Sequence, residues 1–369
     1  MSAGDLAEYI GALPLVDNHV HGFWTAEVDR RGFENGLNEA NTEALADFDS
    51  GFDTQLGFAV RAHCAPLLGL PAHADADDYW SRRSRYSADQ LAQLFLTAVA
   101  VSDWLLDTGL TDRVAGLDEL SQTTGGEVHE IVRLEQVAEQ ASAAGGDYIR
   151  AFRDTLETRV AGAVATKTVL AYRGGFSGDL SAPGDDEVRT AAARWRDGGG
   201  TRLTDRTLLR FGIHEALRLG KPLQFHVGLG DRDCDLHNTN PLLLLEFLRN
   251  SGQTPIVLLH CYPYEREAGY LAQAFNHVYV DTGLTINHLG ARAGSFIART
   301  LELTPFRKLM YSSDAFGPPE LHYLGSQLWR QGITSVLTEF VAGGQWSHND
   351  AIRMATLIGR ENAMRLYRL

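Results

Sequence analysis

Eight short runs rich in apolar and β-branched residues recur along the chain, with stretches of helical periodicity between most of them. Strands that alternate with helices pair in parallel, because a crossover helix returns the chain to the same end of the sheet. Eight such units give an α/β architecture, the (β/α)8 TIM barrel. The runs are Leu15–His21, Ser102–Asp107, His129–Glu135, Ala161–Leu170, Pro222–Val227, Pro255–Cys261, Val278–Asp281 and Lys308–Asp314. Within the second, Asp103–Asp107 reads equally well as the end of a helix.

Helical spacing is plainest in the second half, over Asp205–Leu219, Pro241–Asn250, Glu265–Phe275 and Gly290–Leu301. Gly220 stops the first of these and Pro222 opens the next strand. Residues 25–100 carry helical periodicity and no strand pattern, which predicts a helical insertion after the first strand that caps the barrel. The stretch from Gln327 to Leu369 predicts closing helices. Residues 1–369 thus read as one barrel with 25–100 as its insertion, a length such barrels commonly reach.

Composition narrows the partners. A net charge of −14, from 33 basic and 47 acidic residues without a basic run, excludes nucleic acid as an expected partner. Cys64, Cys234 and Cys261 show no CxxC spacing and fit reduced thiols in a cytoplasm. The first residues lack the basic and apolar regions of a signal peptide, and no apolar run is long enough to span a membrane. A cytoplasmic enzyme acting on a small molecule is expected, and a homo-oligomer is compatible with this surface.

The chemistry lies where strands end. His19 and His21 are one residue apart, so the alternation of a strand points both imidazoles to one face, into the barrel mouth. Active sites of such barrels sit at the carboxyl ends of the strands, and His226 in PLQFHVGLGD, His260 in PIVLLHCYP and Asp314 in LMYSSDAFG each end one. Singly, each histidine reads as a hydrogen-bonded barrel residue and Asp314 as the N-cap of the next helix. A bound metal ion explains all five together. The donors suit Zn2+, with Mn2+ or Fe2+ as alternatives and either one ion or two. A divalent ion lowers the pKa of bound water from about 15.7 toward about 7 and polarises a carbonyl. Asp314 is the expected general base, passing a proton to a leaving amine. His260 is read as a ligand to a second ion or as a hydrogen-bond donor to the developing oxyanion.

Lys167, toward the end of the fourth run, is costly to bury unless paired or modified. Three roles compete: a carbamylated bridge between two metals, a cation for a substrate carboxylate, and a structural partner of Glu135. Arg173 offers a planar fork to a substrate carboxylate, against the alternative of a surface ion pair. Arg133, Glu135 and Arg266 are further substrate-binding candidates. Asp231 and Asp233 could add polar contacts, and His237 and His288 are the other histidines in loops soon after strand ends.

These motifs resemble those of the amidohydrolase superfamily: HxH after the first strand, His after the fifth and sixth, Asp after the eighth. VDNHVHG, KTVLAYRGGF, PLQFHVGLGDRDCDLHNTNPLLL, LLHCYPYEREAGYLA, YVDTGL and YSSDAFGPPE are similar to the amidohydrolase 2 branch. More closely, they resemble the amidohydrolase-like domain that FluG-type and nodulin-type proteins carry fused to a glutamine-synthetase-like domain. The likeness runs almost to the closing ENAMRLYRL. It implies a mono- or binuclear metal site with His19, His21, His226 and Asp314 as ligands, joined in some branches by His260 and a carbamylated Lys167. It also implies a substrate related to glutamate chemistry, such as a γ-glutamyl amide. The expected activity is hydrolysis of a C–N bond; decarboxylation or sugar-acid isomerisation on the same metal is the alternative, and a non-catalytic ligand-binding barrel a third.

Overall fold

The computed structural model describes residues 3–110 and 112–369. Eight parallel strands follow one another around a single sheet: β1 (Leu15–Val20), β2 (Val101–Asp107), β3 (Glu127–Arg133), β4 (Ala165–Thr168), β5 (Leu223–Val227), β6 (Ile256–His260), β7 (Val278–Asp281) and β8 (Leu309–Met310). Each pairs with its sequence neighbour. Past β8 the first and last strands are joined by single backbone bonds, Asn18 N to Tyr311 O (3.1 Å), Asp314 N to His19 O (3.0 Å) and His21 N to Ala315 O (2.9 Å). The barrel is thereby nearly closed.

The second run is a strand. Its Trp104, Leu105 and Leu106 are buried, and it pairs with β1 on one side and β3 on the other, which outweighs its helical reading. Other boundaries moved inward. β3 stops at Arg133, because Leu134 and Glu135 already form the first turn of the helix Leu134–Ala143. Ala161 caps the helix Tyr148–Val160, so β4 begins only at Ala165.

Two apolar layers form. Outward-facing strand residues such as Leu223, Phe225 and Leu258 pack under the helices. Inside, Val16, Leu105, Ile131, Ala165, Val257, Leu259 and Met310 fill the barrel, floored by Ala363 and Tyr367. The helix Arg206–Leu219 shows how local sequence serves this packing. Asp205 accepts from Thr207 N and Leu208 N at its start, Gly220 turns left-handed (φ 69°) at its end, and Leu208, Leu209, Phe211, Ile213 and Ala216 are buried. Each large apolar side chain of this kind contributes about 1.5–3 kcal/mol on burial.

Between β1 and β2 lie helices Arg30–Asn35, Gln55–His63, Ala76–Arg83 and Ala88–Leu96. The closing helices begin earlier than Gln327: Pro319 opens a helix running to Ala342, followed by His348–Thr356 and Asn362–Tyr367. Proline is suited to a first helical turn, where its missing N–H has no partner to lose. No helix among the described residues is long and apolar enough to cross a membrane, and all three cysteines are free.

Candidate metal centre

His19 and His21 leave β1 on the inner side of the barrel, ring centroids 5.1 Å apart. Val16 and Asn18 face the interior by alternation, and a register irregularity between Asp17 and Val20 lets His19 face it as well, a departure that the sequence pattern does not show. Asp314, beyond β8, reaches both rings: its Oδ1 stands 3.2 Å from His19 Nε2 and 3.5 Å from His21 Nε2. One ligand atom from each of these three residues falls within 4.8 Å of the others.

His260 arrives differently. Val257 and Leu259 face the interior, so alternation would turn His260 toward the helices; instead its backbone adopts φ 68° at the strand end. Its ring then lies 6.0 Å from that of His19 and 4.5 Å from that of His226, with Nε2 3.6 Å from Asp314 Oδ2. Asp314 also has positive φ, 48°. Such conformations cost about 1–3 kcal/mol at non-glycine residues and persist only where surrounding contacts hold them. Asp281 Oδ1 accepts from His260 N at 2.7 Å, and Thr285 Oγ1 donates to His260 O at 3.1 Å.

Burial pushes His21 and His260 down to about 3 and holds His226 well below its usual range, so these rings are neutral at pH 7. Burial works against a charge on Asp314, yet His260 and His19 beside it hold the carboxyl well below the ordinary value. Neutral imidazoles and an ionised carboxylate are the protonation states that metal ligands need. His226 Nε2, both nitrogens of His260 and Asp314 Oδ1 are buried without a hydrogen-bond partner among the described residues. Leaving such atoms unsatisfied costs about 1–3 kcal/mol each; of these, His260 Nε2 and Asp314 Oδ1 lie at the His19–His21 group, and the His226 ring stands beside that of His260. The donor set therefore fits a divalent cation.

Lys167 projects from β4 into the same group, Nζ 2.9 Å from His19 Nε2 and 3.4 Å from Asp107 Oδ2. Its carboxylate partner is thus Asp107 rather than Glu135, whose Oε1 accepts from the Thr168 hydroxyl (2.7 Å) and Val169 N (3.0 Å). Asp107, at the end of β2, also receives Arg133 through Nε (3.2 Å) and Nη2 (2.7 Å). Burial would raise Asp107, but Arg133 and Lys167 hold it well below the usual carboxylate range.

Above these residues opens a cavity of about 620 Å³. Its lining includes His21, Lys167, His226 and Asp314 together with Arg133, Arg173, Asp231, Asp233 and His288. From the segment between β1 and β2 come Asn35, Asn38, Glu39, Asn41 and Thr42. Arg173 donates to Leu203 O (3.0 Å) and Tyr172 O (3.1 Å), leaving Nη2 unengaged among the described residues. Glu39, partly buried, has no hydrogen bond or ion pair among the described residues, and burial with Asp314 and Asp231 nearby raises it to about 7. Arg202 pairs with Asp233 at 2.7 Å.

Two expected substrate contacts lie elsewhere. Arg266 is exposed on the helix Glu265–Ala274 and bonds Glu302 at 2.6 Å, because it falls on the outer face of that helix. Glu135 is absent from the cavity wall, its carboxylate spent on the end of β4. His237 is exposed and outside the wall as well. Conversely, Asp107 and Glu39 escaped sequence reading: Asp107 ends the ambiguous second run, the one available sign, and Glu39 lies within 25–100, where helical periodicity marks no strand end, in the stretch between helices Arg30–Asn35 and Gln55–His63.

A sequence profile described as Amidohydrolase matches residues 131–369. The protein fluG of Emericella nidulans is 28% identical over 99% of this chain, and the match covers 47% of fluG, so the chain spans about half the length of that curated relative. Among solved structures, a protein assigned as a metal-dependent hydrolase from Lactobacillus casei ATCC 334 superposes with a TM-score of 0.85 at 26% identity, covering 98% of this chain and 97% of the other. A uronate isomerase of Thermotoga maritima shares the fold, with a TM-score of 0.65 at 15% identity over 99% of this chain and 97% of that one.

Proposed function

From the premise that this chain belongs to the amidohydrolase family, we propose that it hydrolyses the C–N bond of a small carboxylated amide, a γ-glutamyl amide being the form its cavity suits best. The observation that carries this reading is the buried group of His19, His21 and Asp314, with the unpartnered His260 Nε2 3.6 Å from Asp314 and the His226 ring beside it. His19, His21 and Asp314 would hold a divalent cation, Zn2+ by the nature of the donors, with His226 and His260 beside them. Bound there, such an ion supplies Lewis acidity to the scissile carbonyl and to the attacking water.

The chain's own groups divide the remaining work. Asp314 Oδ2, ionised at neutral pH, takes the proton from the attacking water and delivers it to the leaving nitrogen. His260 completes the donor set or donates an N–H to the carbonyl oxygen. The free Nη2 of Arg173 meets the substrate carboxylate, with Arg133 beyond it on the same wall. Glu39 and Asp231, near one another and without an ion-pair partner among the described residues, suit an ammonium, and a γ-glutamyl group presents both charges.

Turnover of a γ-glutamyl amide in 18O-water tests the reaction: label entering the new carboxylate is expected, and a label-free product would indicate decarboxylation or isomerisation instead. Asp314→Asn should lower kcat about 10²–10⁴-fold. Full activity of that variant, or of the protein after exhaustive chelation, would overturn the assignment.

A further inference from the structure

Beneath the candidate ligands, on the floor side of the barrel, Gln224 and Tyr367 form a buried polar chain. Gln224 Nε2 lies 3.1 Å from the backbone carbonyl of Asn18 and 2.9 Å from the Tyr367 hydroxyl. A carbonyl oxygen can only accept, so the amide nitrogen must face it, and the amide oxygen is turned to His19 Nδ1, 2.7 Å away. His19 therefore carries its proton on Nδ1. A second contact agrees: the Lys167 ammonium, which can only donate, stands 2.9 Å from His19 Nε2, and Asp314 Oδ1, 3.2 Å from the same nitrogen, then faces its lone pair, a juxtaposition that a cation held by both would relieve.

The Tyr367 proton is committed as well. Its hydroxyl donates to Asn18 Oδ1 at 2.5 Å, and Asn18 Nδ2 donates to Asp281 Oδ2 at 2.9 Å. The other oxygen of Asp281 receives His260 N. One phenol thus reaches the ring of His19 through Gln224 and the left-handed backbone of His260 through Asn18 and Asp281.

We propose that Tyr367 and Gln224 are positioning residues for the metal centre. The Asn18 carbonyl sets which way the Gln224 amide points, the phenol anchors the second N–H of that amide, and the amide holds His19 in the tautomer whose Nε2 lone pair looks into the mouth. Partners behind a ligating imidazole typically change metal affinity about 10–100-fold when removed. Because Tyr367 also packs against the inner apolar layer, Tyr367→Phe keeps the floor filled and removes only the hydroxyl.

The inference rests on the metal-centre reading, and the test separates the two. Full-length protein, stripped of metal, is titrated with Zn2+ against a chromophoric chelator, and the His19 ring is followed by 15N NMR, assigned by its absence in His19→Gln. Tyr367→Phe and Gln224→Leu should each weaken Zn2+ binding about tenfold or more. Gln224→Leu should also lose the Nδ1–H signal of His19. Ile131→Val, a change in the same buried layer outside the chain, should leave both readouts unchanged. Wild-type affinity in both variants, an equal loss in Ile131→Val, or a His19 protonated on Nε2 in the parent would overturn the positioning role alone. Failure of the parent to take up Zn2+ would instead overturn the metal-centre reading, and the positioning role with it.

Discussion

Arg173 and Glu39 bring a guanidinium and a carboxyl group to the cavity, and neither forms an ion pair among the described residues. That leaves each with a ligand group to find. Arg173→Ala should raise KM about tenfold or more for a carboxylated amide, the loss expected of a charge-assisted hydrogen bond, while kcat changes less. Glu39→Gln should erase the preference for a γ-glutamyl amide over the matching glutaryl amide, which lacks the ammonium; paired steady-state kinetics would read both effects. Unchanged discrimination would remove Glu39 from substrate recognition. The residues that could be named beforehand were those that end a strand: His19, His21, His226, His260 and Asp314. Asp107 and Gln224 could not, because what they do depends on partners 26 and 205 positions away along the chain. Arg266 misled for a related reason, since closeness in sequence to His260 says nothing about which face of the next helix a side chain takes.

At the scale of elements, the segment between β1 and β2 is tied to the closing helices by a buried ion pair. Arg83, at the end of helix Ala76–Arg83, donates Nε to Glu320 Oε1 (2.6 Å) and Nη2 to Oε2 (3.2 Å), and Tyr79 adds its hydroxyl at 3.3 Å. Both charged side chains are almost wholly excluded from solvent. Arg83→Met should therefore destabilise the protein by about 3–5 kcal/mol, because Glu320 would be left charged and unpaired. Adding Glu320→Leu should recover most of that loss, as measured by denaturant unfolding; a single variant as stable as the parent would show that the pair does not anchor the segment. Helix periodicity announced this segment as helical but could not show the tie, since Arg83 and Glu320 lie 237 positions apart. Strand boundaries were blurred for a local reason: apolar character continues from each strand into the first turn of its helix, as Leu134 does after β3.

For the molecule as a whole, ligand binding and folding are coupled, because a cation held only by the folded donor set stabilises that state. Saturating Zn2+ at about 100 times its Kd should add about 2.7 kcal/mol and raise Tm by several degrees, and a chelator should reverse the rise. Scanning calorimetry would check this, and a Tm indifferent to Zn2+ would count against a resident ion.

The bond from Asp314 N to His19 O runs along the line where the chain's last strand must find its first. The carboxylate stands on one margin of that join and the imidazole pair on the other, so a cation between them would rivet the cylinder at its seam. Withdrawing the cation should let the Asp314 amide exchange its hydrogen sooner than amides in the β5–β6 ladder, as if a barrel had lost the hoop nearest its open stave.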